Sequence, residues 1–526
     1  MVYGPMSNFL RKFKRNKVVE KNNEGGYAPP KPAHRWQRRK RREEQAERKR
    51  QEMVTENKVN PWFQSCANPR GQYATVVHSF PGGLQDDDLE CLKGDTLTIE
   101  SAYSTEAWWK AENLRTGKTG YIPANYITEE PGVRKILDAW HDIDRQESEA
   151  KLNAPGLRNG TYIVRPSSNP LRIALSVLCI VGSTKTIKHF SVKNDPEAGS
   201  FFITPSRTFK TLKDLIEYYK VAHDGKPQLL TAPTPRTKPV VQSRDLRISR
   251  DKICLKTRLA RGGRFGSIYI ATYGSLKQPV VIKKLSSHVN RESVIAISEA
   301  CHKLHHRSVV TFVGLCDEPK SEPLLLVVEY MPGGNLKDFL VQNGKTLDYS
   351  KLQNLLYQVI DGMDYIENMK SFHGNLNASN VFLSSELCAK IGNYGFSVQS
   401  DRSVFGSPSL ENTEAIRWAA PELLEPKYPF DILCDVWSFG VVMFEVFTLG
   451  SQPYKDMDLK EIAEKVKTGY RLPNPQSMGF QCDNVMYETM KNCWSADSSD
   501  RPTFRELWFA FEESLSQDNE VYAEIE

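Results

Sequence analysis

The sequence predicts a multidomain protein: a basic N-terminal arm with no core of its own, a small β-barrel, an α+β domain, and a larger α+β domain after them. Three observations carry this. At 526 residues the chain is longer than one hydrophobic core organises. Its formal net charge of +6 is unevenly spread: residues 1–70 hold 18 Lys and Arg against 7 Asp and Glu, giving +11, and the rest hold 52 against 57, giving −5. After Gly71 the texture changes to short alternating strands, and further on to strands mixed with helix-period segments. With 40% hydrophobic and 25% charged residues the composition is that of a globular protein.

The arm, residues 1–70, contains "FLRKFKRNK" and "RWQRRKRREEQAERKR". Neither run has an apolar face long enough to anchor a core, so a solvated, disordered arm is expected. Such clusters also suit an acidic membrane surface or a nuclear-import receptor. Nucleic acid is not expected as a partner, because no folded nucleic-acid module accompanies the basic run. The longest nearly apolar stretch, Ile173 to Val181, is about half of what a bilayer-spanning helix needs, so no transmembrane segment is expected. The opening "MVYG" does not read as a secretory signal, and Val2 stands where N-myristoylation requires glycine. Ten cysteines are scattered without a C-x-x-C pair, which suits a reduced cytoplasmic chain, with the arm offering membrane or nuclear association.

Residues 71–130 read as strands "ECLKGDTLTIE", "WWKAEN" and "GYIPANYI" separated by turn residues. They resemble an SH3 domain, a β-barrel whose aromatic groove receives polyproline helices. The resemblance implies Trp108, Pro123 and Tyr126 as groove residues, and Asp86 to Asp88, with Asp88 foremost, as the acidic loop that meets a ligand's Arg or Lys. His78 and Phe80 stand where that family usually has tyrosines. Neighbouring strand residues face opposite sides, so Trp108 and Trp109 are not both expected to pack the barrel.

Residues 138–232 alternate helix and strand: "RQESEAKL", "GTYIVRP", "IALSVLCIV", "IKHFSV", "FFIT" and "TLKDLIEYYK". They resemble the SH2 domain, an α+β fold that binds phosphotyrosine proteins. "YIVRPSS" matches the family's F-L-V-R-E-S, which implies that Arg165 reaches the phosphate with two parallel hydrogen bonds. Arg145 matches the second arginine, His189 the histidine that closes the site, and Ser167 and Ser168 further donors. Residues 233–249, "TAPTPRTKPVVQSRDLR" in their setting, read as a proline-containing linker. In Src-type kinases the corresponding segment is an internal SH3 ligand, so Pro235 and Pro239 are candidates for docking onto this chain's own SH3 domain.

Residues 250–515 carry "VVIKKL", "VVEYMPGGNLKDFL", "IRWAAPELL", "DVWSFGVVMFEVFTLG" and "MKNCWSADSSDRPTF" in that order. These blocks resemble a tyrosine kinase domain and imply its bilobal α+β protein-kinase fold, with Glu422 and Arg501 as an ion pair bracing the lower lobe. With SH3 and SH2 domains ahead, the chain is similar to the Src and Csk group of non-receptor tyrosine kinases. ATP and Mg²⁺ are the implied cofactors, and Gly263, Gly266, Lys283, Glu329, Met331 and Asn380 the implied nucleotide-binding positions.

Phosphoryl transfer on this fold needs a glycine loop, a lysine held by a helix glutamate, two metal ligands and an acid that orients the hydroxyl. The chain departs at several of these. "ARGGRFGSI" puts Arg261 at the first glycine, and Val281 replaces a small alanine. The glutamate position, 14 residues beyond Lys283, is Ile297, and Glu299 lies about 200° round the helix from it. Lys283 is therefore expected to lack its orienting partner. "FHGNLNASNVFL" places Asn375 where the proton-accepting Asp belongs, and "GNYGFS" places Asn393 at the metal-binding Asp, 18 residues later as the pattern requires. Neutral amide oxygens hold Mg²⁺ poorly. "HGN" is also similar to the pseudokinase domains of Janus kinases, some of which retain nucleotide binding.

Two function classes follow. One is a binding protein for phosphotyrosine and proline-rich motifs whose kinase-fold domain, catalytically impaired, acts as scaffold or allosteric regulator. The other is an active tyrosine kinase that transfers phosphate from ATP. The tail, residues 516–526, holds Tyr522 followed by Ala-Glu-Ile, similar to the ligands of Src-type SH2 domains, which makes Tyr522 a candidate phosphorylation site. Cys301, His302, His305 and His306 are expected to form a solvated surface cluster and not a metal site.

Overall fold

The computed structural model describes residues 73–516 apart from 102–106, 129–136, 142, 144, 154–155, 168–171, 183, 196–198, 205–206, 222–228, 235–237, 262–265, 287–289, 395–413 and 425–429. The arm and the tail, with Tyr522, lie outside the described residues, as do Ser168, Pro235 and Gly263.

The first unit is an antiparallel barrel of β1 (Tyr73–Val76), β2 (Thr96–Ser101), β3 (Trp108–Asn113), β4 (Lys118–Pro123) and β5 (Ile127–Thr128), in the order β4-β3-β2-β1-β5. Alternation along β1 points Ala74 and Val76 inward, where they meet Phe80, Leu89, Leu97, Ile99, Ala111 and Ile122. Gly120 has no room for a side chain: a Cβ there would stand 2.6 Å from Asp87 O.

In the second unit β6 (Tyr162–Pro166), β7 (Arg172–Val181), β8 (Thr184–Asp195) and β9 (Ser200–Phe202) form one antiparallel sheet, with helices α1 (Arg145–Leu152) and α2 (Leu212–Tyr219). Alternation sorts the two faces. Tyr162, Val164, Leu175, Val177, Phe190 and Val192 pack with Leu212, Leu215 and Ile216 of α2. Ile163 and Leu178 pack with Leu152 of α1. The same face that meets α1 carries Arg165, Ser176 and His189, because Arg165 is paired with Ala174 and Ser176 with both Ile163 and His189. α1 also touches the third unit, through Lys151 Nζ to Glu386 Oε2 at 2.6 Å.

The third unit is bilobal. Its upper lobe is the sheet β10 (Ile253–Arg261), β11 (Ser267–Tyr273), β12 (Gln278–Lys284), β13 (Phe312–Cys316) and β14 (Leu325–Glu329), ordered β10-β11-β12-β14-β13, with helix α3 (Arg291–His302). Asn290 caps α3, its side chain accepting from Ser293 N at 3.0 Å. The lower lobe is helical: α4 (Leu336–Asn343), α5 (Tyr349–Asn368), the hairpin β15 (Val381–Leu383) and β16 (Ala389–Ile391), then α6 (Ile432–Phe447), α7 (Leu459–Lys467), α8 (Asn484–Cys493) and α9 (Phe504–Ser516). α6 is apolar almost all round and correspondingly buried. The expected Glu422 and Arg501 pair is present and bidentate, at 2.6 and 2.8 Å, with the Arg501 side chain fully buried. Among the described residues no helix is long and apolar enough to cross a membrane.

Candidate functional site

Three places gather the residues singled out above. The first is the cleft between the lobes. β12 carries Lys283 in register with Ile268 and Leu326, and α3 turns Ile297 inward, 1% exposed, while Glu299 faces solvent. The expectation that Lys283 lacks an orienting partner is corrected here: its Nζ donates to Asn393 Oδ1. The fold compensates for the missing helix glutamate by bringing Asn393 to the amine. Asn393 adopts φ +61°, a left-handed conformation that Asn tolerates better than most residues.

From there the carboxamides run head to tail. Asn393 Nδ2 donates to Asn380 Oδ1 at 2.6 Å, and Asn380 Nδ2 to Asn375 O at 2.8 Å. Asn377 Nδ2 donates to Asn375 Oδ1 at 3.1 Å. Underneath, the buried carboxyl of Asp435 accepts from His373 N and Gly374 N, and burial pushes it up to about 7. Burial also brings the Lys283 ammonium down to about 8. The oxygens that would face a cation, Oδ1 of Asn380 and of Asn393, are thus already accepting N–H hydrogens. Such a donor set does not suit Mg²⁺, which demands near-ideal octahedral oxygen ligation and prefers carboxylates.

Of the other nucleotide positions, Gly266 has φ +70°, and a Cβ there would stand 2.7 Å from Lys284 O, so only glycine fits. Glu329 turns its carboxylate to Lys390 Nζ at 2.7 and 2.9 Å and accepts from Thr311 N at 3.0 Å. Met331 is buried beside it.

The second place is the face of the four-stranded sheet beneath α1. Arg165, 1% exposed, donates from Nε to Ser176 Oγ at 3.2 Å and from Nη1 to Pro166 O at 3.0 Å. Ser176 Oγ lies 2.8 Å from His189 Nδ1, and His189 Nε2 lies 3.0 Å from Glu149 Oε1. Arg145 Nε donates to the same oxygen at 3.0 Å. The hydrogen bond from His189, then that from Arg145, hold the Glu149 carboxyl below its ordinary range although burial opposes this. Arg145, Arg165 and His189 therefore belong to one network. Ser167 is half-buried immediately after the β6 strand. Sequence reasoning missed Glu149 and Ser176. The i, i+4 spacing of Arg145 and Glu149 was a usable signal; the pairing of Ser176 with His189 is set only by strand register.

The third place is the barrel's aromatic groove, and the chain itself fills it. Trp108 pairs with Pro123 across β3 and β4, and Phe80 sits 5.6 Å from Trp108 and 6.0 Å from Tyr126. The linker lies over them. Tyr126 Oη donates to Pro239 O at 3.4 Å, Asn125 Nδ2 to Val240 O at 3.1 Å and Trp108 Nε1 to Gln242 O at 2.9 Å. Val241, 1% exposed, joins the barrel core. So docking through Pro239 occurs by its carbonyl, and the apolar plug is Val241. Trp108 and Trp109 are both buried, 7% and 8% exposed. This agrees with strand alternation: Trp109 pairs with the core residue Ile122, and Trp108, on the other side, is covered by the linker through Gln242 O.

Polar groups fasten the linker on both sides. Gln278 grips Val241 with its carboxamide, accepting from Val241 N at 2.9 Å and donating to Val241 O at 2.7 Å. Gln242 Nε2 donates to His302 O at 2.7 Å, satisfying a carbonyl at the end of α3. Arg244 pairs with Asp87, lies 3.5 Å from Asp88 Oδ1 and stacks over Tyr121 at 4.4 Å. Its hydrogen bond lowers the Asp87 carboxyl. A labelled proline-rich peptide should accordingly bind Arg244→Ala several-fold more tightly than wild type, given roughly 0.2–1 kcal/mol for an exposed pair and about as much for the ring contact. Raising NaCl should narrow the difference. Equal affinities at low salt would remove Arg244 from this lock.

The Cys301 to His306 cluster is not a solvated surface, which corrects the expectation. Cys301 Sγ donates to Tyr394 O at 3.4 Å, and His302 Nε2 donates to Ser243 O at 2.8 Å. His306 stacks on Tyr365 at 4.7 Å, and burial brings it and His305 down to about 4. The linker and α5 cover this end of α3, which spacing along one helix cannot reveal. Among the described residues no group of three His, Cys, Asp or Glu is arranged to hold a metal ion.

Residues 80–124 match the SH3 domain family, 140–219 the SH2 domain family, and 253–511 the family of protein tyrosine and serine/threonine kinases. The chain is 35% identical over 450 residues to Tyrosine-protein kinase SPK-1 of Girardia tigrina, an alignment covering 83% of this chain and 89% of that one. It belongs to the family of signalling tyrosine kinases that carry an SH3 and an SH2 domain ahead of the kinase domain, and the Src and Csk type is consistent with that order.

Proposed function

We propose that this protein is a phosphotyrosine- and proline-directed signalling protein whose kinase-fold domain serves as scaffold or allosteric regulator and is catalytically impaired. The observation that carries the reading is the run from Lys283 through Asn393 and Asn380 to the main-chain carbonyl of Asn375, in which both positions expected to be Asp, 375 and 393, are uncharged carboxamides and Asn393 is already bonded to Lys283 and Asn380. No phosphoryl-transfer step is assigned to this cleft. ATP, if taken up, would meet Gly263, Gly266, Lys283, Glu329, Met331 and Asn380 without Mg²⁺. The alternative reading, an active tyrosine kinase, is favoured by the retention of Lys283 and Asn380 and by the relative that bears that name.

In this reading Arg145, Arg165, Ser167 and His189 bind phosphotyrosine, and Asp88, Trp108, Pro123 and Tyr126 bind either proline-rich ligands or the chain's own linker. The working units are 71–130, 138–232 and 250–515, joined by 233–249. The basic arm meets acidic membrane surfaces, Tyr522 is the phosphorylation site of the tail, and the protein acts in the cytoplasm.

Thermal unfolding of the full chain with ATP tests the cleft. Any rise in the unfolding temperature is expected to be the same in EDTA as in excess MgCl₂, since a ligand stabilises only by its own affinity. A rise that requires Mg²⁺ would overturn the reading in favour of a metal-using kinase.

A further inference from the structure

We propose that residues 30–35 of the arm are a second occupant of the barrel's aromatic groove and take the place of linker residues 239–244, an inference that rests on the proline-binding reading of that groove. The linker crosses the groove in a fixed order: Pro239 lies at Tyr126, Val241 enters the barrel core and Arg244 reaches Asp87 and Asp88. The hydrogen bonds from Tyr126, Asn125 and Trp108 fall on the carbonyls of Pro239, Val240 and Gln242. Every residue supplies a carbonyl. What the groove asks of the sequence is therefore a proline, an apolar residue two positions on, and an arginine three beyond that. "PVVQSR" meets this over 239–244, and "PKPAHR" meets it over 30–35 with Pro30, Pro32 and Arg35. Of the six prolines ahead of the barrel, only Pro30 begins the pattern.

Two features favour the arm on the barrel side. Residues 29–32 hold three prolines against the single Pro239 of the linker stretch, and proline has φ fixed before any ligand docks, so less freedom is lost. Charge acts in the same direction. Asp87 keeps 60% of its side-chain surface exposed although it is paired with Arg244, and Asp86 is exposed too. The linker brings them one arginine with Asp245 next to it, whereas the arm brings Arg35 followed by Arg38, Arg39, Lys40, Arg41 and Arg42. Reach is sufficient, because the 38 positions from Arg35 to Tyr73, where β1 begins, span at most about 130 Å. The segment thus competes as a tethered ligand. The exchange is one-sided. Gln278 of β12 accepts from Val241 N, and Pro32 has no N–H to offer it. The arm fits the barrel side of the linker's seat and not the upper-lobe side, so its docking parts the barrel from the lobe that the linker joins to it.

The test uses the full chain carrying Val241→Ala and Arg244→Ala, which loosens the linker and leaves the arm intact. A labelled peptide of residues 233–249 is titrated into this protein and into the same protein with Pro30→Ala, Pro32→Ala and Arg35→Ala added. The comparison is made at a fixed linker, and the Arg244→Ala background alone serves if the double linker variant does not fold. A tethered occupant whose effective concentration is about ten times its own dissociation constant weakens a competitor about tenfold, so the arm substitutions are expected to tighten peptide binding by about that factor. An unlabelled peptide of residues 27–42 should displace the labelled one from the arm-substituted protein. Equal affinities with and without the arm substitutions would overturn the inference. So would an effect that appears on replacing Arg38 to Arg42 and not on Pro30→Ala with Pro32→Ala, since attraction between charges alone would then account for it. If the labelled peptide binds the arm-substituted protein and its Trp108→Ala form equally, the proline-binding reading of the groove itself falls.

Discussion

Full-length protein incubated with ATP, Mg²⁺ and a tyrosine-containing peptide is expected to transfer no phosphate above a buffer control. Removing a catalytic base alone costs about 10²- to 10⁴-fold, and here the loss is compounded. Asn375 cannot accept the hydroxyl proton as a carboxylate does, Asn393 brings no negative charge to a cation, and Ile297 leaves α3 with an apolar residue, 1% exposed, where the lysine's partner belongs. Such losses need not add, but all three act on one transition state that positioning and electrostatics stabilise. Lys283→Ala should leave the background unchanged. Restoring Asp at 375 and 393 together should not give full activity, because Ile297 remains and the Asn380 end of the chain must also rearrange. Robust Mg²⁺-dependent turnover that Lys283→Ala abolishes would sink this expectation.

The second large effect is expected at Arg165. Its guanidinium is held in place before any ligand arrives, by Ser176 and by the Pro166 carbonyl, so little conformational freedom is lost when phosphate binds. Charge-assisted hydrogen bonds are worth about 1.5–3 kcal/mol each, and a bidentate pair adds directional fit. Arg165→Ala should therefore weaken phosphotyrosine-peptide affinity by roughly 10²-fold or more. Arg165→Lys, which keeps the charge and loses the planar fork, should recover only part of it. Calorimetry on the full chain checks both. An Arg165→Ala protein that binds as tightly as wild type would show that the site has been misassigned.

The domains were legible because each has local signals that the sequence repeats in order: alternating strands around Trp108, the run into Arg165, and the blocks from Lys283 to Arg501. The two Asp replacements were legible too, since their separation of 18 residues leaves no register in which either is an acid. What was not legible is what the replaced residues do to one another. A carboxamide carries both donor and acceptor, so Asn393 can hold Lys283 with its oxygen and Asn380 with its nitrogen. That link exists only once the loop after β16 lies beside the one before β15. The linker was legible as a ligand by its prolines, yet the contacts fall on Val241, Gln242 and Arg244, whose partners Gln278, His302 and Asp87 are 37, 60 and 157 residues away. The burial of His305 and His306 failed for the same reason: it is imposed by other segments.

The linker is stitched at both ends, and this sets a rule of admission for partners. Near the SH2 domain, Thr234 N donates to Tyr162 O at 3.0 Å, and His141 Nε2 lies 3.2 Å from Thr234 O. From Pro239 onward the chain is pinned in the aromatic groove. A proline-rich ligand arriving alone competes with a tethered segment whose effective concentration is on the order of millimolar. A partner that carries a phosphotyrosine and a proline motif on one chain has the same advantage, because its second contact is intramolecular after the first. The arrangement rewards coincidence: two weak marks presented together outcompete the linker where either mark at the same concentration does not.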